Sequence, residues 1–398
     1  MKDTKEDKMK VAVLGYGTIG SGVVEIINNT NNAYLKDVEV IKVLDLPINN
    51  DKCSLIVNDI NDIVKDASID CVVETMGGLH PAYEFISAAL ENKKSVVTAN
   101  KAVVAAYMNE FIEKAKLNGV NFLIEASTGG GIPWLAGLKK ATRVDDINYF
   151  YGIFNGTTNY ILDRMYNKGF DFAEVLKKAQ DKGYAEADPS ADIDGYDVKN
   201  KVTISSAMAW QAYVDMNDFL CYGIRNIVKN DIDFFKSMGK VVKYIGEARL
   251  SDNRYEAYVM PTLFDNSDVE SNISTNFNIC TLNGDTIGDL KFYGQGAGKL
   301  PTANAIVQDI LDIKANTPDT DLNVNIKPVY DDEMSKNIYV TRTEDLVDSI
   351  HIEEKKTFNN VVYEFTKPIT AKQFRELTKD WHDENAFVCK LANYGETK

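Results

Sequence analysis

Cysteine is scarce here: five residues in 398, at Cys53, Cys71, Cys221, Cys280 and Cys389, far apart and never as CxxC. That spacing suits free thiols in a reducing compartment and argues against a disulfide framework or a cysteine zinc site. Histidine is scarcer, three in all. His80, His351 and His382 form neither HxxxH nor HxxE, so metal or triad chemistry built on imidazole has little to work with. No apolar run approaches the ~18 residues of a membrane span, and no signal-peptide segment follows the charged MKDTKEDKMK, so the expected location is the cytoplasm and no membrane is expected as a partner. Positive charge is also in deficit. With 44 Lys and Arg against 59 Asp and Glu the net charge is −15, which argues against nucleic acid as a partner. Catalysis is left to lysines and carboxylates.

What is present is a soluble, multidomain composition: 44% hydrophobic residues in a chain long enough for at least two cores. Lys10 to Leu14 (KVAVL) reads as a buried strand and runs into Gly15-Tyr16-Gly17-Thr18-Ile19-Gly20, then into the helical pattern GVVEIINN. Strand, glycine turn and helix come in the order of a dinucleotide site. Gly15 permits the tight turn, Gly17 lets a pyrophosphate approach, and Gly20 lets the helix pack on the strand. The next strand, VEVIKVLD, ends on Asp45, where such folds hydrogen-bond the adenosine ribose. A cation typical of NADP sites does not follow, so Asp45 leans towards NAD; the alternative is that it starts the turn with Pro47.

Strands IDCVVET, SVVTAN and NFLIEAS alternate with helices, the pattern of a doubly wound parallel sheet in an α/β fold. Ligands of such sheets bind beyond the carboxyl ends of the strands, which directs attention to Thr75–Gly78, Asn100-Lys101 and Glu125–Gly131. After Pro133 short strands and helices, among them helices at 159–167 and 198–214, read as an α+β domain. From about Lys327 the order βαββαβ, with its first helix at EDLVDSI, is ferredoxin-like. The expected domains are 1–135, completed by about 294–320; 136–293; and 327–398.

The stretch Gly183 to Lys201, GYAEADPSADIDGYDVKNK, carries Glu186, Asp188, Asp192, Asp194 and Asp197. Asp197 and Lys201 are four apart on one helix face. As an exposed pair they would contribute ~0.3–0.5 kcal/mol, with Asp194 as a cap and Asp197 at the third helical position. That leaves Glu186, Asp188 and Asp192 unexplained. A site for a substrate ammonium, with a lysine delivering a proton to a developing alkoxide, accounts for all of them.

The run AQDKGYAEADPSADIDGYDVKNK (Ala179 to Lys201) resembles the signature of homoserine dehydrogenases. Further family-like pieces follow one order: the glycine loop, Thr98-Ala99-Asn100-Lys101, EASTGGGIP from Glu125, NGTTNYIL from Asn155, and GQGAG from Gly294. The similarity spans roughly residues 10 to 320.

The resemblance implies reversible NAD- or NADP-dependent reduction of L-aspartate 4-semialdehyde to L-homoserine, in threonine, methionine and isoleucine biosynthesis. It implies Lys201 as proton donor, Asp197 orienting it and touching substrate, and Lys101 as second lysine. Glu186 and Asp192 would hold the substrate ammonium, with Gly156, Thr157 and Tyr184 lining the pocket. Thr75, Lys101, Gly296 and Gly298 join the glycine loop at the cofactor. A monovalent cation, sodium, would take Glu125 and the carbonyls of Thr128, Gly130 and Ile132; on the residues alone GGG could equally be a hinge. A homodimer or homotetramer is implied, and a monofunctional enzyme, since no aspartate kinase region precedes the first strand.

Many relatives end in an amino-acid-sensing ACT domain, whose outline residues 327–398 share, but Thr343-Glu344-Asp345 stands where such sensors carry a glycine turn. A degenerate, structural or dimer-stabilising module is the expectation. Two competing readings remain. An acylating semialdehyde dehydrogenase needs an activated cysteine, and none is in such a setting. A catalytically silent nicotinamide sensor would have little reason to keep both lysines and the acid cluster.

Overall fold

The structure, a computed structural model, describes residues 8–29, 31–316, 324–344 and 350–393. The chain divides into two compact units. Unit 1 comprises Met1–Lys140, Ala207–Gln211 and Gln295–Asn325; unit 2 comprises Ala141–Ser206, Ala212–Gly294 and Ile326–Lys398.

Unit 1 is built on six strands: β1 (Met9–Leu14), β2 (Val38–Leu44), β3 (Ile56–Val57), β4 (Cys71–Glu74), β5 (Ser95–Thr98) and β6 (Phe122–Leu123). They lie in the order β3-β2-β1-β4-β5-β6 with every pairing parallel. This is the doubly wound Rossmann arrangement, and the order reverses between β1 and β4, where ligands bind. β1 and β4 are apolar runs because both faces of a parallel sheet are covered; Val11, Val13, Cys71 and Val73 are fully buried. Helix α1 (Thr18–Asn29) and the helix Lys299–Lys314 cover the same core through Val23, Ile27, Ile306 and Ile310. The strand expected over NFLIEAS shrinks to Phe122–Leu123, because the chain tightens into a 3-10 turn at Glu125–Ser127, with Ser127 N–H and hydroxyl both on the Ile124 carbonyl.

Unit 2 carries a large mixed sheet. Its principal strands are β7 (Ile147–Ile153), β8 (Lys240–Ser251), β9 (Arg254–Asp265), β10 (Phe277–Gly284), β11 (Gly288–Gln295), β12 (Tyr339–Arg342), β13 (Ile352–Phe358), β14 (Val361–Thr366) and β15 (Phe387–Leu391). The order is β11-β10-β7-β8-β9-β15-β12-β14-β13. β8 and β9, over the stretches KVVKYIGEARL and YEAYVMPTLF expected as strands, run to twelve residues each and form one long hairpin. The C-terminal strands keep the ferredoxin-like order, fourth-first-third-second, with antiparallel neighbours. They sit within unit 2 because β15 pairs with β9 at Thr262 and Leu263. The helix expected at EDLVDSI lies outside the described residues, which stop at 344 and resume at 350.

Among the charged contacts that bind this C-terminal run to the rest of the unit, two are largely buried. Lys390 on β15 donates to Glu247 on β8, both buried. Arg342 on β12 forks onto Asp231, which also takes the Tyr363 hydroxyl. Removing one partner of a buried pair strands the other charge, at ~3–5 kcal/mol, whereas replacing both with apolar residues is often near neutral. Lys390→Met should therefore lower stability by about that amount in urea unfolding, and Glu247→Met/Lys390→Met should recover most of it. Equal losses in the single and double variants would show that the pair is not what holds β15 in place.

Candidate functional site

In unit 1 the glycine loop closes on itself. A Cβ on Gly20 would stand 1.9 Å from the Gly15 carbonyl oxygen and 2.8 Å from Thr75 Oγ1, so only glycine lets α1 start this close to β1. A Cβ on Gly17 would meet nothing within 4 Å, the open approach a dinucleotide's pyrophosphate needs at Thr18 and Ile19, the first turn of α1. The Thr75 hydroxyl donates to the Leu14 and Gly15 carbonyls at 3.0 Å each. Asp45 Oδ2 accepts the Tyr16 N–H at 2.7 Å, and Oδ1 accepts from Leu46 N–H and Asn49. Partial burial works to raise its pKa, but these bonds outweigh it and hold the carboxyl below its ordinary value. Asp45 thus starts the turn before Pro47 and clamps the glycine loop with the same side chain.

Glu74, at the carboxyl end of β4, was not singled out by sequence. It is fully buried and accepts from Met76 and Gly77 N–H on one oxygen and from the Thr98 hydroxyl, at 2.6 Å, on the other. Burial raises its pKa above the ordinary carboxyl value despite these bonds. Thr98 in turn receives Asn100 N–H, and the Asn100 side chain caps helix Lys101–Asn118 at Val103 N–H and donates to the Gly78 carbonyl. Glu74 therefore fastens together the two loops at the sheet edge, including the one that presents Lys101. The available signal was an acid closing the otherwise apolar run CVVE.

The residues expected around sodium are also in unit 1. Glu125 accepts Leu135 N–H at 3.1 Å and Ala136 N–H at 2.7 Å, at the start of helix Trp134–Ala141. Burial pushes its pKa up to about 7. Its own N–H donates to Asp309, whose carboxyl is also raised, by burial and then by Glu125. The Thr128 hydroxyl is buried with no hydrogen-bond partner among the described residues. The Ile132 carbonyl accepts Trp134 N–H. A Cβ on Gly130 would stand 2.4 Å from the Gly296 carbonyl, and Gly131 N–H donates to Gln295. Gly296 thus packs on the GGG loop, and Gly298 opens the helix Lys299–Lys314.

In unit 2, β7 ends at Ile153 and helix Gly156–Lys168 begins under an Asn155 cap, whose Oδ1 accepts Thr158 N–H at 2.8 Å. Asn155 Nδ2 donates to Asp192 Oδ1 at 2.7 Å and to Asp197 Oδ2 at 2.9 Å. Lys201 Nζ donates to Asp197 Oδ2 at 2.7 Å and to the Phe154 carbonyl at 2.6 Å. Lys201 and Asp197 are 8% and 5% exposed, so the solvent-screened pair weighed from sequence is a buried one. Both lie on helix Tyr196–Trp210, two residues longer at its start than expected and ending four earlier. It is preceded by Gly195 at φ +95°, where a Cβ would lie 2.4 Å from the Tyr244 hydroxyl.

The five acids divide. Asp192 and Asp197 converge on Asn155; Asp188 instead accepts Ser190 N–H and hydroxyl, and Asp194 forks with Arg225 at 2.6 and 3.1 Å. Glu186 is exposed. The Thr157 hydroxyl donates to the Tyr184 carbonyl at 2.6 Å, the Tyr184 ring stands edge-on to Tyr160, and a Cβ on Gly156 would press on the Asn276 carbonyl. Gly156, Thr157 and Tyr184 are thereby gathered at one helix start.

A family model described as homoserine dehydrogenase matches residues 133–311, and one described as homoserine dehydrogenase, NAD binding domain, matches 15–125. Homoserine dehydrogenase of Synechocystis sp. is 40% identical over 350 residues, 85% of this chain and 81% of that one. The chain belongs to the homoserine dehydrogenase family. The Bacillus subtilis homoserine dehydrogenase is 34% identical over 97% of this chain and 92% of its own. A crystal structure of a homoserine dehydrogenase from Thiobacillus denitrificans matches with a TM-score of 0.86 at 30% identity, covering 97% of this chain and 98% of that one. The protein is thus an NAD(P)-dependent oxidoreductase of this family. Burial raises the thiol pKa of Cys71, Cys221 and Cys389, the opposite of what the acylating reading requires. No helix among the described residues is long and apolar enough to cross a membrane.

Glu125 generates a pH test. The folded state holds its proton more tightly than the unfolded chain, so the stability it contributes is complete below about 4.5 and lost as pH rises through about 7. In sodium-free buffer the wild type should lose on the order of 3 kcal/mol across that window relative to Glu125→Gln, read by thermal unfolding. Parallel curves for the two proteins would place the Glu125 carboxyl at an ordinary pKa.

Proposed function

We propose that the chain interconverts L-aspartate 4-semialdehyde and L-homoserine, with Lys201 as the proton donor to the carbonyl oxygen. The observation that carries this reading is the constellation of buried Lys201, Asp197 and Asn155 with half-buried Asp192, drawn from three elements onto the Asn155 amide and Asp197. The nicotinamide, when bound, supplies or accepts the hydride. Lys201 then meets the charge developing on oxygen, a role worth ~10²–10⁴ in rate. Asp197 orients Lys201 at 2.7 Å. Asp192 and Glu186 bind the substrate ammonium, Gly156, Thr157 and Tyr184 bound its pocket, and Lys101, at the first turn of its helix, is the second lysine. In the cell this serves threonine, methionine and isoleucine biosynthesis in the cytoplasm.

Glu125 and the carbonyls of Thr128, Gly130 and Ile132 would hold a sodium ion. An oxygen-only donor set suits a hard cation, and the unpartnered Thr128 hydroxyl and the raised Glu125 carboxyl are features a cation would relieve. Gly15 to Gly20, Thr75 and Lys101 hold the dinucleotide, with Gly296 and Gly298 supporting the neighbouring loop. Residues 327–398 act as a structural module of a homodimer or homotetramer.

Lys201→Ala should cut homoserine-dependent reduction of NAD or NADP by ~10²–10⁴ while cofactor still binds. Near-normal turnover would remove Lys201 from the mechanism. Asp45→Asn keeps an acceptor for Tyr16 N–H but removes the charge that attracts the ribose hydroxyls and repels a 2′-phosphate. Its Kd for NAD should rise while that for NADP falls or holds; equal changes for both would refute the ribose contact.

A further inference from the structure

We infer that Asn155 is a positioning residue for the reaction, one amide that holds Asp192 and Asp197 together and thereby sets where Lys201 stands. This rests on the functional reading above and adds to it a residue outside the charged set. Three bonds define the side chain, and they leave its orientation no choice. The helix Gly156–Lys168 needs an acceptor at its cap, so Oδ1 faces Thr158 N–H, at 2.8 Å. Nδ2 is thereby turned the other way, where its two hydrogens meet two carboxylates from different elements: Asp192 at 2.7 Å and Asp197 at 2.9 Å. Asp192 belongs to the single turn Ser190–Ile193 and Asp197 to the helix that carries Lys201.

Two carboxylates drawn to one nitrogen repel each other; Lys201 donates to one of them, Asp197 Oδ2, and the amide is a favourable partner to both. It donates to the same Asp197 oxygen that Lys201 uses, so it limits the directions from which the ammonium can approach that oxygen. The neighbouring Phe154 carbonyl takes a further bond from Lys201 at 2.6 Å. Residues 154 and 155 thus hold the lysine and its counter-ion from one short piece of backbone. Asn155 is 4% exposed, too buried to reorient without breaking the cap. Through Asp192 it acts on the group assigned to the substrate ammonium, and through Asp197 on the proton donor. Its loss should reach both KM and kcat.

The test separates the cap from the amide donor. Serine and aspartate cap helices about as well as asparagine, but serine brings one donor and aspartate none, with an added negative charge. For Asn155→Ser we expect homoserine kcat to fall and KM to rise, together a loss of roughly 10–100-fold in kcat/KM, with cofactor Kd and Tm close to wild type. Asn155→Asp should lose more. In an Asp192→Asn background, Asn155→Ser should raise KM by less than it does alone, since the partner through which it acts is already altered. Wild-type kcat and KM in Asn155→Ser would overturn the inference and leave Asn155 as a cap only; so would equal KM effects of Asn155→Ser in both backgrounds. Failure of the underlying reading looks different: either no homoserine turnover by the wild type, or undiminished turnover by Lys201→Ala.

Discussion

An ammonium group withdrawn from water must be met by charge and by hydrogen-bond acceptors, or the fold that buries it is destabilised. Lys201 meets that requirement with Asp197 and the Phe154 carbonyl, and much of unit 2 follows from it. Asp197 in turn takes the Asn155 amide, Asn155 caps the helix Gly156–Lys168, and that helix start carries Gly156 and Thr157. The two backbone pieces involved, the end of β7 and the first turns of helix Tyr196–Trp210, are fixed in register by this contact. Gly195 serves the same end. With no side chain to press on the Tyr244 hydroxyl, it lets the helix begin where Asp197 reaches Asn155 and Lys201, one turn on, reaches Phe154.

Unit 1 depends on a different constraint, the close approach of backbone to backbone. Gly20 against Gly15, and Gly130 against Gly296, are contacts that no side chain could enter. The first brings the α1 N-terminus to the edge of the sheet. The second joins the GGG loop to the GQGAG loop, so that two motifs far apart in the chain form one packed feature. Buried acids complete the arrangement: Glu74 ties the loops after β4 and β5, and Glu125 and Asp309 stand together under helix Trp134–Ala141. Acids buried this way carry raised pKa values, as isolated carboxyls in low dielectric should.

The C-terminal strands follow ordinary sheet logic. Once β15 pairs with β9, the ferredoxin-like run continues a sheet already formed, and the Lys390–Glu247 and Arg342–Asp231 contacts hold it there. Its outer strand β13, IEEKKTF, is mostly exposed and highly charged, which protects an open sheet edge from pairing with other chains.

Local pattern was enough for the parallel sheet, the glycine loop and the pairing of Asp197 with Lys201, because apolar runs, glycine spacing and an i, i+4 interval are all properties of neighbouring residues. Order along the chain was also enough for the strand order of the C-terminal run. The length of strand β6 was not legible, since a local turn at Ser127 overrides the apolar run before it. Nor was the division of the acids: Asp188 keeps its neighbour Ser190, two residues on, but only the fold brings Arg225 to Asp194 and Asn155 to Asp192 and Asp197. The tying roles of Glu74 and Asn155 were hidden for the same reason, since Thr98 lies 24 residues from Glu74, and Asp192 and Asp197 lie 37 and 42 from Asn155. The sequence by itself determined which elements form and which residue types are on hand for chemistry; the tertiary structure decided which of those residues meet, because a hydrogen bond depends on distance in space and not on distance along the chain.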